Sequence, residues 1–90
     1  MKQDTLKAAV LISGTGSNLK ALIDAVANGT LDLDIVRVVS NRSDAAGIHH
    51  AVAADIPVSV VSHIDFPDRQ AHDDAVAEIL QQSNAELVIL

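Results

Sequence analysis

Two rhythms alternate along the chain. Ala8–Ile12 (AAVLI) is a short unbroken apolar run, the pattern of a strand covered on both faces. After it, Leu19, Leu22, Ile23 and Val26 recur at i, i+3, i+4 and i+7, one face of a helix, with Asn28-Gly29 as a stop. Ile35–Ser40 (IVRVVS) is β-branched and reads as a second strand. Asp44–Asp55 is Ala-rich, and Ile48, Ala51 and Val52 fall on one side of a short helix there. Gly47 inside that helix costs about 1 kcal/mol relative to Ala. Pro57 precedes a third strand, Val58–Ser62. Phe66-Pro67 opens a third helix with Pro67 in its first turn, and its buried face is Ala75, Val76, Ile79 and Leu80. Ser83-Asn84 ends that helix, and Glu86–Leu90 (ELVIL) forms a fourth strand. Strictly alternating strands and helices predict an α/β domain, a Rossmann-like parallel sheet with right-handed crossover helices and the first strand central.

Ninety residues suffice for one domain, and 49% of them are apolar. Phe66 is the sole aromatic residue besides the histidines, so the core is expected to be aliphatic. The formal charge of −6 argues against a nonspecific nucleic-acid surface, which needs a dense cationic face. It leaves room for one phosphate in a local pocket. Without cysteine there is no thiol catalysis, thiolate metal ligation or disulfide. The apolar stretch of the N-terminus is too short for a membrane span, and a cytoplasmic protein is expected. The last apolar run stops at Leu90, where a parallel strand would lead into a ligand-binding loop. The expectation is an N-terminal piece of a longer protein, its fourth strand an uncovered edge.

The strand-to-helix junction carries the most chemistry. Gly14 and Gly16 remove side chains where the backbone turns, and Ser17 and Asn18 follow at the first turn of the helix. Main-chain N–H groups, the helix dipole and a hydroxyl and amide together suit a bound anion. The dinucleotide fingerprint would need glycine where Leu19 stands, and an acidic residue where Ser40-Asn41-Arg42 stands. The Walker Gly-Lys-Ser/Thr pattern is absent. A small phosphate ester fits better than NAD, while Arg42 leaves open an NADP-like 2′-phosphate contact. The plain alternative is a tight turn that only caps a helix.

The sequences VLISGTGSNLKALIDA and VRVVSNRSDAAG, with Asp65-Phe66-x-x-Arg69, resemble the start of the phosphoribosylglycinamide formyltransferase family. The likeness runs along the whole chain, about the first half of the family's usual extent. It implies formyl transfer from 10-formyltetrahydrofolate to the amine of glycinamide ribonucleotide, in purine synthesis. By the same resemblance Gly16, Ser17 and Asn18 hold the ribonucleotide phosphate, and Arg69 contacts the folate cofactor, where a guanidinium suits a carboxylate. The family's catalytic Asn, His and Asp fall beyond Leu90, so this segment alone is expected to be inactive. Two other readings stand beside it: a folate-dependent relative such as formyltetrahydrofolate deformylase, or an NADP- or nucleotide-binding module.

The histidines do not form a metal set. His49-His50 and His72-Asp73 are adjacent pairs, about 100° apart on a helix, and no H-x-x-x-H pair exists. They are expected at the surface. Asp73, Asp74 and Glu78 read as the solvated face of the third helix, with Asp68 near its positive end.

Overall fold

The computed structural model describes residues 5–13 and 17–89, apart from the side chains of Ser17 and His63. Four parallel strands, β1 (Leu6–Ile12), β2 (Leu33–Ser40), β3 (Val58–Val60) and β4 (Leu87–Ile89), form one sheet in the order β3-β2-β1-β4. They alternate with helices α1 (Ser17–Ala27), α2 (Gly47–Ala53) and α3 (Arg69–Gln82), and a 3-10 turn spans His63–Asp65. The expected alternation and the central first strand are both present. The first two crossovers step one way from β1, and the third returns past β2 and β1 to β4. Right-handed crossovers therefore put α3 on the sheet face opposite α1 and α2.

The α1/α2 face holds the main core. Val10, Leu19, Ile35, Val38 and Ala51 are buried together, with Leu22, Ile23, Val26 and Ile89 packed around them. Ile35 and Val38 are three apart in a strand, which in a regular pleat would send them to opposite faces. The register explains their shared burial: Ala8 pairs with Ile35 but Ala9 with Arg37, so Val36 is an extra residue in β2. This bulge returns Val38 to the side of Ile35 and turns Arg37 toward the α3 side. Ala8 and Ala9 are fully buried at the centre of the sheet.

The helix ends follow local chemistry. Gly29 takes φ +82°, Thr30 N–H donates to Ala25 O at 3.0 Å and Gly29 N–H to Val26 O at 3.2 Å. That bond pair is a Schellman stop, and it uses the glycine for its left-handed conformation. A Cβ at Gly29 would meet no atom within 4 Å, so the requirement is conformational and not steric. α2 is shorter than the expected Asp44–Asp55: it begins at Gly47, so this glycine is its first residue and not an interior weakness. Val52, expected on its buried side, is 62% exposed, whereas Ala51 is buried as expected, together with Gly47. α3 begins at Arg69, two residues after the expected proline start. Asp68 is the N-cap, and its carboxylate accepts from Ala71 N–H at 2.8 Å, so Pro67 lies outside the helix.

β4 has only β1 as a neighbour and is an edge strand, as expected, with Leu87 and Val88 exposed. Its entry is fastened to β1 by Glu86 N–H donating to Lys7 O at 2.7 Å and Lys7 N–H donating to the Glu86 carboxylate at 3.1 Å.

Burial separates two otherwise similar truncations. Leu19→Ala removes a fully buried side chain and is expected to cost about 2–5 kcal/mol in urea unfolding. Val52→Ala, at an exposed helix site, should stay within about 0.5 kcal/mol of the parent.

Candidate functional site

The site builds from the carboxyl ends of the strands, where open α/β sheets bind ligands. β1, an interior strand of the sheet, ends at Ile12 on that edge, and α1 starts at Ser17. Of the residues expected to hold phosphate, Gly16 lies outside the described residues, as does the side chain of Ser17. The Ser17 backbone opens α1, and Asn18 is exposed as its second residue. The first turn of α1 contains no acidic residue, so no carboxylate of its own neutralises the positive end of the dipole. Lys20, one turn in, pairs across the helix surface with Asp24 at 2.9 Å.

Hydrogen bonds between successive loops knit this edge together. Asn41 N–H donates to Ile12 O at 3.3 Å, joining the ends of β1 and β2. Val61 N–H donates to Ser40 O at 2.8 Å, joining β2 to the segment after β3. The fully buried Ser40 hydroxyl donates to Arg42 O at 2.7 Å and accepts from Arg42 N–H at 3.2 Å, which tightens the loop. His72 then reaches from α3 to Val61 O, with Nε2 at 2.9 Å. A carbonyl oxygen can only accept, so Nε2 carries the proton.

This corrects the expectation of a surface histidine: His72 is 7% exposed. Its ring also meets Phe66 edge to face, with centroids 5.6 Å apart. The expected face of α3 is right in direction and incomplete. Ala75, Val76, Ile79 and Leu80 are half-buried, and His72 is the helix's one buried residue. The missed signal is spacing, since His72, Ala75, Val76 and Ile79 stand at i, i+3, i+4 and i+7. Beneath this rim is a cavity of about 300 Å³ with Leu11, Val39, Val61 and Val76 as apolar walls and Ser13, Asn41 and His72 as polar lining.

Arg69 is the first residue of α3 and is exposed. Among the described residues it has no ion-pair partner, so its guanidinium remains available to an anion. Arg42 is engaged differently. Its Nε and Nη2 donate to the two Asp44 carboxylate oxygens at 2.9 and 3.0 Å. That fork lowers the Asp44 carboxyl below its ordinary range, chiefly by hydrogen bonding and then by charge, and raises Arg42. Among the described residues no cluster of three or more His, Asp or Glu is placed to hold a metal, and no helix is long and apolar enough to cross a membrane.

Comparison with known proteins gives a consistent family. The formyl transferase family profile matches residues 6–90. The trifunctional purine biosynthetic protein adenosine-3 of Drosophila pseudoobscura pseudoobscura is 40% identical over 92 residues, covering 100% of this chain and 7% of that protein. The solved phosphoribosylglycinamide formyltransferase of Coxiella burnetii superposes with a TM-score of 0.90 at 38% identity, over 94% of this chain and 40% of its own. A formyltetrahydrofolate deformylase from Pseudomonas putida shares the fold with a TM-score of 0.86 at 29% identity, over 96% of this chain and 30% of its own. The chain thus spans well under half the length of each.

The Arg42–Asp44 fork is open to titration. A lowered folded-state pKa means that the pair's contribution is present above the unfolded carboxyl value and is lost as pH falls through the folded one. NMR titration of Asp44 should give a midpoint below about 3.9, and Arg42→Gln should move it back up; an unshifted midpoint in the parent would contradict the fork.

Proposed function

Because the chain belongs to the formyl transferase family, we propose that residues 1–90 form the N-terminal, ribonucleotide-binding part of a phosphoribosylglycinamide formyltransferase domain. In this reading the formyl group of 10-formyltetrahydrofolate passes to the primary amine of glycinamide ribonucleotide, in purine biosynthesis. The amine attacks the formyl carbon, the bond from that carbon to the folate nitrogen breaks, and the proton lost by the amine balances the one gained by the folate nitrogen. The groups that move those protons lie outside this segment, so the ninety residues alone bind ligand without turnover. The enzyme is cytoplasmic, and its partners are small molecules rather than nucleic acid or membrane.

One observation carries the reading: a family match along residues 6–90 coincides with a helix that opens at the carboxyl end of the central strand without an acid in its first turn. Gly16, Ser17 and Asn18 take the phosphate there, through main-chain N–H groups and polar side chains. Arg69, exposed and without a carboxylate partner among the described residues, takes a carboxylate of the folate tail. A deformylase would share the folate contact, but its reaction has no ribonucleotide phosphate for the Gly-Ser-Asn corner to hold. An NADP-binding module would need Arg42 for the 2′-phosphate, and that guanidinium is already forked onto Asp44.

Thermal shift separates the readings. Glycinamide ribonucleotide should stabilise the protein, whereas its dephosphorylated riboside and NADPH should not; stabilisation by NADPH alone would refute the proposal. In the complete enzyme, Arg69→Ala should raise the KM of the folate donor about tenfold, as expected for loss of one charge-assisted contact. The KM of the ribonucleotide should hold within about twofold.

A further inference from the structure

We propose that His72 is a positioning residue for Arg69, the last link in the hydrogen-bonded rim that fixes the start of α3 relative to the end of β1. The inference rests on the reading of Arg69 as a carboxylate contact and extends it to a residue that never touches the ligand.

The start of α3 has little else to hold it. Arg69, Gln70, Asp73 and Asp74 are exposed, and Ala71 is half-buried. Asp68 caps the helix from an exposed position and so fixes where the helix begins, not where it sits. His72 is the one buried side chain of α3, and its Nε2–H bond to Val61 O at 2.9 Å crosses from the helix to the segment after β3. From Val61 the connection is continuous: Val61 N–H to Ser40 O, then, across the Ser40–Asn41 peptide, Asn41 N–H to Ile12 O. Ile12 is the last residue of β1, on the approach to the phosphate corner. Arg69 stands three residues before His72, one helical turn away. A single imidazole therefore connects the helix that carries the proposed folate contact to the end of β1 through three backbone segments. Phe66 packs against the ring in an edge-to-face contact.

The role requires a donor at the Nε2 position and not an aromatic ring as such. Phenylalanine keeps the volume and loses the donor, while glutamine keeps an N–H at comparable reach. In the complete enzyme His72→Phe should speed hydrogen exchange at the amides of residues 71 and 72 about tenfold. It should raise the KM of the folate donor about fivefold, with kcat and the ribonucleotide KM within about twofold. His72→Gln should restore both, and a donor whose tail carboxylates are amidated should not register the Phe substitution. The parent alone offers a third measurement: the His72 Nε2 proton should be visible by NMR in slow exchange with water.

A rapidly exchanging imidazole proton, unchanged amide exchange in the Phe variant, or failure of Gln to rescue would each overturn the proposal. So would an equal fall in kcat and rise in both KM values. Arg69→Ala with an unchanged donor KM would overturn the carboxylate reading of Arg69 instead, and the anchoring by His72 would then stand or fall on the exchange results alone.

Discussion

Pairing of β1 on both edges is the constraint from which the remaining architecture follows. β1 bonds to β2 on one side and β4 on the other, with Ala8 and Ala9 fully buried at the crossing of both ladders. A strand so enclosed cannot slip by one residue without inverting both of its faces. The place where it stops is therefore fixed. A binding site on a loop needs a rigid support, and for the site proposed at this edge that support is a strand paired on both sides.

The two faces of the sheet do different work. The α1/α2 face concentrates aliphatic packing, gathered by the bulge at Val36 that brings Ile35 and Val38 to the same side. The α3 face is covered by one helix whose deepest contact is a hydrogen-bonding imidazole rather than an aliphatic side chain. Dispersion and burial hold the first face without directional preference, whereas a hydrogen bond fixes distance and angle. The directional contact lies on the side where the proposed ligand contact on α3 must keep its place relative to another loop.

Most of the fold was legible because its two periodicities are so different. Short apolar runs and i, i+3, i+4, i+7 stripes alternate cleanly, and the glycine stop at Gly29 sits where the pattern breaks. The bulge at Val36 was not legible, since register depends on a neighbouring strand that local sequence does not specify. Val52 was misplaced because a seven-residue helix has too few turns to define its own buried stripe. His72 was misread for a different reason: its residue type outweighed its spacing. The proposal of a phosphate at the Gly-Ser-Asn corner rests on glycine placement and helix-end physics, and Gly16 lies outside the described residues. Nothing in pattern or composition singled out Arg69, whose expected role came from family resemblance alone; its exposed place at the start of α3, with no ion-pair partner among the described residues, is what the structure adds.

The edge-on contact between Phe66 and His72 has a spectroscopic consequence. The sequence contains neither tryptophan nor tyrosine, so Phe66 is the only intrinsic near-ultraviolet chromophore of any strength, and it rests against the docked end of α3. The imidazole ring current falls on the phenyl protons, which makes them a native gauge of whether that helix is seated. A pteridine ligand would absorb against an almost blank protein background, so its own spectrum would record the environment it enters.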